Sequence, residues 1–275
     1  MRDIGSDFRA LHRKGNPFVL ANAWDIGSAR VLAALGAEAI ATSSAAHAFT
    51  LGLPDGGYVS RDIALAHAQD LVAATNLPVS GDFENGFGHS PDDCAETVRL
   101  AAEVGLAGIS IEDAALPDDR AYDFDHAVER IRAAASAARA LTRDFVLVAR
   151  ADGILNGHYD TDEALRRLLA FQDAGADCLY APLPPDMAAL ARLCAAVKLP
   201  LNALAAGPFA AHSREDFAAI GIARISIGAA LARVTHHALI EAATPMLAAG
   251  DFSRLRPSVG GATVEALLQK GAKNG

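Results

Sequence analysis

Two acids at the end of an apolar run are the side chains of this sequence best suited to chemistry. Asp82 and Glu84 follow the apolar residues 77–80 and precede the turn Gly86-Phe87-Gly88. Side chains alternate along a strand, so we expect both carboxylates to project to one side, where the glycines let a ligand approach the backbone. Carboxylates held this close repel each other unless a cation or a proton lies between them. The pattern therefore predicts a charged site at a strand end.

A second apolar run also ends in acids. Residues 107–111 are followed by Glu112 and Asp113. Carboxylate oxygens from neighbouring strand ends are the hard ligands that a magnesium-type ion prefers. We therefore predict that the two acidic segments form a divalent metal site. The alternative is that these acids only cap helices and solvate loops.

A positive charge ends a third apolar run. Arg150 follows residues 145–149, and Asp152 comes shortly after it. A guanidinium at a buried strand end needs an anion, because an unpaired interior charge is too costly. A substrate carboxylate can supply that anion through a bidentate pair. The alternative is a salt bridge to a neighbouring acid such as Glu112.

The elements that would position these groups form a regular series. Short apolar runs alternate with alanine-rich stretches of helical spacing, as buried parallel strands alternate with covering helices. Eight such units predict an α/β fold, the (β/α)8 TIM barrel, with functional residues at the carboxyl ends of the strands. An open doubly wound sheet is the alternative, but the glycine fingerprint for dinucleotides is missing after the first strand. The runs are residues 18–21, 39–42, 77–80, 108–111, 145–149, 177–180, 199–202 and 224–227.

The length of the chain suits one barrel with a terminal extension. We predict a single domain over residues 1–275, of which residues 229–275 form extra C-terminal helices. An apolar terminal helix often packs on a neighbouring subunit, which predicts a homo-oligomer. Alternatively, it covers the bottom of its own barrel.

Composition excludes several classes of function. A formal net charge of −9 without basic clusters argues against nucleic-acid binding. No apolar run approaches the roughly 20 residues of a membrane span, so no membrane association is expected. Three scattered cysteines indicate reduced thiols and a cytoplasmic protein. No lysine follows a predicted strand, which argues against a Schiff-base or pyridoxal-phosphate enzyme.

Six segments, in order along nearly the whole chain, resemble the phosphoenolpyruvate mutase/isocitrate lyase superfamily, in its branch of 2-methylisocitrate lyases and carboxyphosphonoenolpyruvate phosphonomutases. The resemblance implies a (β/α)8 barrel whose last helix is exchanged between the subunits of a homodimer or homotetramer. It also implies turnover of a small carboxylate substrate through a metal-stabilised enolate. The segments are residues 21–25, 42–44, 54–56, 82–88, 110–113 and 149–152.

The resemblance also implies roles for individual residues. A Mg²⁺ or Mn²⁺ ion would be bound directly by Asp82 and largely through water by Asp55, Glu84 and Glu112, with Glu84 where most members have aspartate. Arg150 matches the family's substrate-binding arginine. The candidate catalytic residues are Asp55, Glu112 and Arg150, and the candidate substrate-binding residues are Trp24, Asp25, Ser43, Ser44, Ala45, Arg150 and Asn202.

The loop that defines the reaction departs from the family pattern. Residues 114–122 contain no cysteine, lysine or histidine, and Ala181-Pro182 replaces the glutamate that family lyases place after the sixth strand. The proton carrier is therefore open. The candidates by position are Asp118, Asp119, Arg120, Tyr122 and His158, together with His47 and His89 as loop histidines near the site.

Three functions follow as hypotheses. The first is a Mg²⁺-dependent lyase that cleaves a carbon–carbon bond in a small 2-hydroxy or 2-oxo dicarboxylate and releases a pyruvate-type enolate. The second is a decarboxylase or hydrolase of an oxaloacetate-like acid, or a phosphonomutase; decarboxylation or hydrolysis needs less acid–base equipment and so suits the altered loop. The third is a barrel that binds a metabolite without turnover.

Overall fold

The computed structural model describes residues 3–118 and 120–273, and its central feature is a closed barrel of eight parallel strands. The strands follow one another around the barrel in chain order, and the last pairs with the first. All eight predicted runs form strands, so the (β/α)8 TIM barrel is confirmed. The strands are β1 (Phe18–Asn22), β2 (Ala39–Ala41), β3 (Val79–Asp82), β4 (Gly108–Glu112), β5 (Val146–Arg150), β6 (Cys178–Tyr180), β7 (Leu201–Leu204) and β8 (Arg224–Ser226).

Helices surround the barrel, and several begin at capping residues that the sequence supplies. Ser60, Ser90 and Ser213 each accept a hydrogen bond from a backbone N–H in the first turn of the following helix, a donor that the helix itself leaves unpaired. Short 3-10 helices span Gly207–Ala211 and Ser253–Leu255. The α-helices are α1 (Ile4–Leu11), α2 (Ile26–Ala34), α3 (Ser44–Thr50), α4 (Arg61–Ala74), α5 (Pro91–Glu103), α6 (Phe124–Arg139), α7 (Gly153–Asn156), α8 (Thr161–Asp173), α9 (Met187–Ala196), α10 (Arg214–Ala219), α11 (Ala230–Ala249) and α12 (Gly261–Lys270).

The barrel interior is filled at its amino-terminal end. Leu20, Val146 and Val148 pack there against small side chains of β2. Phe8 of α1 is fully buried and meets Phe18 edge to face, with ring centroids 6.0 Å apart. Helix α1 thus closes the bottom of the barrel, and the open end lies at the carboxyl ends of the strands.

The C-terminal helices lie largely outside the barrel. In α11 only Ala232 is buried, whereas Leu239 and Ile240 are each 61% exposed and Leu247 is 81% exposed. Helix α12 packs on α2 of the same chain. The bottom of the barrel is covered by α1, so the alternative that the extension covers it is wrong. No helix in the described ranges is long and apolar enough to span a membrane. The three cysteines are free, as predicted, and all three are buried.

The β4–β5 pair tests how tightly the strands are packed. A methyl group added to Gly108 would lie 2.3 Å from the carbonyl oxygen of Val146, its partner in the register. Gly108→Ala is expected to lower the free energy of unfolding by about 2 kcal/mol or more, because the backbone of both strands must shift. Denaturant unfolding followed by circular dichroism measures the change. Gly260→Ala is the matched control, since its added methyl group meets nothing within 4 Å and its φ of −65° suits alanine. Equal stability of the two variants would contradict this packing.

Candidate active site

A cavity of about 440 Å³ opens at the carboxyl ends of the strands. Its wall combines side chains of β3, β4, β5, β6 and β8 with residues at the start of α3. The structure therefore brings together a large part of the predicted site at the end of the barrel where it was expected. The predicted site residues that line the cavity are Ser43, Ser44, Ala45, Asp55, Asp82 and Arg150.

Arg150 lies at the centre of an acidic cluster. Its Nη1 is 2.6 Å from Oδ1 of Asp82, and its Nη2 is 2.9 Å from Oε2 of Glu112 and 2.6 Å from Oδ2 of Asp152. Burial lowers the pKa of Arg150, but these three carboxylates outweigh burial and hold that pKa well above its ordinary value. The salt bridge to Glu112, the alternative reading of this arginine, is thus present and extends to two further acids.

Asp82 is held firmly at the end of β3. Its Oδ2 accepts hydrogen bonds from the backbone N–H and the hydroxyl of Ser44, at 3.0 and 3.1 Å. Its Oδ1 accepts from the Ser110 hydroxyl at 3.3 Å in addition to Arg150. Its own N–H donates to the hydroxyl of Thr42 at 2.7 Å. The carboxylate is therefore pre-positioned by groups from three neighbouring strands and loops.

The position of Glu84 does not follow from strand alternation. Strand β3 ends at Asp82, and Glu84 lies in the following turn with a left-handed φ of 46°. Its Oε1 accepts a hydrogen bond from the N–H of Gly57 at 2.9 Å, whereas its Oε2 is buried without a partner. Burial, reinforced by the charges of Asp82 and Asp55, raises the pKa of Glu84 to about 7.

The two remaining predicted metal ligands share this excess of negative charge. Burial raises the pKa of Glu112 well above its ordinary value, and burial together with the charge of Asp82 raises the pKa of Asp55. No three His, Cys, Asp or Glu side chains in the described part of the chain converge as a ready-made metal site. The donor chemistry nevertheless fits a hard divalent cation. Carboxylates outnumber the single guanidinium of Arg150 around the cluster, and Oε2 of Glu84 lacks any donor.

Several candidate residues lie away from the cavity wall. Asn202 is fully buried, donates to the Ser226 hydroxyl at 2.9 Å and accepts from Nε of Arg224 at 2.8 Å. Asp25 caps α2 by accepting from the N–H of Ser28, and the carbonyl of Trp24 meets a ring nitrogen of His67. The substrate-binding roles of Trp24, Asp25 and Asn202 stay predictions.

Asp113 belongs to the support of the site. Its carboxylate is buried, 2.9 Å from Nη1 of Arg167, and accepts from the hydroxyl of Tyr159 at 2.7 Å and the N–H of Asp152 at 2.8 Å. These bonds hold Asp113 away from the cavity and fix the backbone of Asp152, which in turn pairs with Arg150.

The candidate proton carriers of the loop also lie outside the cavity lining. Tyr122 is buried beneath the guanidinium of Arg130 and accepts a hydrogen bond from Asn85 at 3.1 Å. Asp118 and Arg120 are exposed and 3.6 Å apart. Asp119 lies outside the described residues. His89 contacts the hydroxyl of Tyr122, and His158 is not among the residues that line the cavity.

A stacked pair of histidines adjoins the acidic cluster. His47 was expected in a loop but lies in α3, and its ring stacks on that of His67 in α4 with centroids 3.7 Å apart. Both rings face a small cavity that Asp82 and Glu84 also line. Neither ring nitrogen of His47 has a hydrogen-bond partner, and burial lowers its pKa to about 4. Nothing in the sequence pairs these two residues, because they come from different helices.

This pair predicts acid sensitivity of folding. The pKa of His47 lies below its unfolded value of 6.5, so the unfolded chain binds the extra proton and stability falls as the pH drops from 6.5 to about 4. His47→Phe keeps a flat ring on His67 and should reduce the loss of stability by about 1.4 kcal/mol per pH unit at most in that range. Unfolding curves at pH 7, 6 and 5 measure the slope, and the same change at the exposed His212 serves as the control. An unchanged slope in His47→Phe would rule out a neutral buried His47.

Comparison with known proteins agrees with this geometry. A crystal structure from Burkholderia cenocepacia J2315, provisionally assigned as a lyase/mutase, superposes with a TM-score of 0.91 at 45% identity and covers 96% of this chain and 94% of that chain. The 2-methylisocitrate lyase of Escherichia coli K12 is 31% identical over 208 residues, 72% of this chain and 69% of its own length. The oxaloacetate decarboxylase of Chromohalobacter salexigens is 29% identical over 227 residues, 80% of this chain and 77% of its own length.

The family model for phosphoenolpyruvate phosphomutase matches residues 8–247, which include every strand of the barrel and the whole acidic cluster. The resemblance noted in the sequence is thereby confirmed. The chain belongs to the phosphoenolpyruvate phosphomutase family, within the phosphoenolpyruvate mutase/isocitrate lyase superfamily of lyases and mutases.

Proposed function

We propose that this protein is a divalent-metal-dependent lyase that cleaves a carbon–carbon bond in a small 2-oxo or 2-hydroxy acid. Cleavage of a 4-hydroxy-2-oxo acid would release a pyruvate-type enolate, whereas cleavage of a 2-hydroxy acid would release a 2-oxo acid and the enolate of the other fragment, which is then protonated. The observation that carries this proposal is the acidic cluster around Arg150, which reaches a cavity of 440 Å³ through Arg150 and Asp82, beside Asp55 in the same wall. Such a cluster of repelling acids costs stability and has no structural use at a cavity mouth. A barrel that only binds a metabolite would not need it.

The residues proposed to hold Mg²⁺ or Mn²⁺ are Asp82, Asp55, Glu84 and Glu112. Two observations support them: Oε2 of Glu84 is buried without a partner, and Asp82 is fixed by the donors of Ser44. When bound, the cation stabilises negative charge on the substrate oxygen. Burial and neighbouring carboxylates raise the pKa values of Asp55, Glu84 and Glu112.

Arg150 and the start of α3 are proposed to bind the substrate carboxylate. Arg150 lines the cavity even though three protein acids surround it, so its charge also reaches into the cavity. Ser43, Ser44 and Ala45 line the same cavity. Hydrogen bonds from these groups would orient the acid and strengthen as charge develops on it.

A decarboxylase of an oxaloacetate-like acid is the second candidate within the same chemistry. The loop of residues 114–122 supplies no described side chain to the cavity lining, so a reaction that needs little proton transfer suits the site. The 29% identity to an oxaloacetate decarboxylase supports this alternative, and the 31% identity to a 2-methylisocitrate lyase supports cleavage of a larger acid.

A substrate panel tests the proposal. Purified protein with millimolar Mg²⁺ is incubated with 2-oxo and 2-hydroxy mono- and dicarboxylic acids, and products are identified by mass spectrometry. A 2-oxo acid with a second carboxylic acid or an aldehyde as co-product indicates the lyase, and carbon dioxide with a monocarboxylate indicates the decarboxylase. Asp82→Asn is expected to lower turnover by roughly a hundredfold or more, because a fixed charge of the site is lost.

Glu129→Gln, which removes an exposed carboxylate of α6, is the control and should retain full activity. Wild-type protein should lose turnover with chelator and regain it with Mg²⁺ or Mn²⁺. Turnover that survives both chelator and Asp82→Asn would exclude the proposed metal site. Absence of turnover on the whole panel, with acids that bind and stabilise the protein, would favour the non-catalytic barrel.

We also propose that the protein assembles into a homodimer or homotetramer by exchange of α11. That helix presents apolar side chains to solvent, including Val234, Leu239 and Ile240, each 61% exposed. On the same chain, a cleft of about 280 Å³ lies between α2 and α10 and exposes Val19 of β1 to 42%. In a barrel of this topology, the helix after β8 belongs in that position, so a copy of α11 from a second chain fits there.

Charge on the apolar face of α11 tests the assembly. The double substitution Leu239→Asp and Ile240→Asp is expected to convert the oligomer into monomer, because buried aspartates at an interface are strongly unfavourable. Analytical ultracentrifugation at several concentrations measures the mass. Ile63→Asp, at an equally apolar but isolated exposed site on α4, should leave the mass unchanged. A wild-type protein that sediments as a monomer at all concentrations would contradict the exchange.

A further inference from the structure

A second arginine lies inside the barrel, and its charge is not balanced. Arg224 begins β8 at the level of Phe18 in β1, below Ser226 and Leu20, and is only 3% exposed. Its Nε donates to Oδ1 of Asn202 at 2.8 Å, but Nη1 is buried without a hydrogen-bond partner. Among the described residues, no carboxylate lies within ion-pair distance of it. Arg150, in contrast, is paired with three acids.

An unpaired interior guanidinium is costly and cannot relieve the cost by losing its proton. Burial lowers the pKa of Arg224, and the nearby positive charge of Arg150 lowers it further. An unpaired guanidinium at the wall of a cavity therefore favours the binding of an anion.

The cavity connects this arginine with the acidic cluster. Arg224 and Ser226 line it together with Arg150 and Asp82, and Leu20 and Leu204 contribute apolar side chains to the same wall. One space thus contains a cationic group at the start of β8 and a second cationic group, among acids, at the end of β5, with apolar side chains in its wall. A short carbon chain with an acid at each end matches these two cationic groups.

We propose that Arg224 forms an anion subsite that binds the distal carboxylate of the substrate, and that it selects dicarboxylic over monocarboxylic acids. The inference rests on the proposed function for the identity of the reacting end, which binds near Arg150. Asn202 acts as a positioning residue. Its Oδ1 accepts a hydrogen bond from Nε of Arg224, and its Nδ2 donates to the hydroxyl of Ser226, which fixes the orientation of the Asn202 amide. A phosphonate in place of the distal carboxylate carries the same type of charge, so the affinities for a carboxylate and for a phosphonate must be compared.

Binding of matched acids tests the subsite. L-malate and L-lactate share the 2-hydroxy acid and differ in the second carboxylate, and 3-phosphonopyruvate carries a phosphonate. Calorimetric titration with millimolar Mg²⁺ should show that wild-type protein binds malate roughly ten- to a hundredfold more tightly than lactate. Tighter binding of 3-phosphonopyruvate than of malate would overturn the assignment to a carboxylate. Arg224→Met should abolish the preference for malate and change the affinity for lactate less than about twofold.

Controls separate the subsite from folding and from the proposed function. The melting temperature of ligand-free Arg224→Met should equal or exceed that of wild type, because an unpaired buried charge is removed. Should that variant fail to fold, Arg224→Lys keeps a charge and should keep part of the preference. Arg132→Met, an exposed change on α6, should leave both affinities unchanged. A preference for malate as strong as that of wild type in Arg224→Met or Arg224→Lys, or wild type that binds both acids equally, would overturn the subsite alone. Failure of every acid to bind would overturn the proposed function with it.

Discussion

The structure of the site depends on the balance between one guanidinium and the carboxylates around it. Arg150 is paired with Asp82, Glu112 and Asp152, and this pairing allows acids from three strand ends to lie together in a buried place. The balance is incomplete, because Glu84 and Asp55 add negative charge that no further described arginine or lysine pairs with. Backbone donors also contact the cluster: the N–H of Ser44 donates to Asp82, and the N–H of Gly57 donates to Glu84. The chemistry of the site follows from that surplus.

A second ring of charges supports the first. Arg167 and Tyr159 satisfy Asp113, Asp113 fixes the backbone of Asp152, and Asp152 orients Arg150. None of these supporting residues lines the cavity, yet each restricts where the guanidinium can lie. We therefore expect a substitution in this ring to shift the guanidinium of Arg150 without removing its charge.

Much of the fold could be predicted from the sequence, because buried parallel strands leave a strong signal of short apolar runs. All eight runs formed strands, and the acids that end β3 and β4 pair with Arg150 at one end of the barrel. Pairing partners were harder to predict. Arg150 contacts protein acids, and Asp113 faces α8 rather than the cavity, because side-chain direction after a strand end depends on the backbone of the turn. Glu84 shows this directly with its left-handed φ.

Arg224 was read as part of an apolar run, since a sequence does not reveal whether a charge at a strand start faces the interior. The histidine stack joins two helices and leaves no local pattern.

Closure of the barrel floor by α1 has a consequence for the order of events. Phe8 closes the lower end of the barrel, and the described cavity opens at the carboxyl ends of the strands. If a substrate is cleaved there with one end toward Arg224, the fragment nearer the opening leaves first. The fragment that stays inside then competes with the next substrate molecule, and its rate of release sets an upper limit on the turnover number.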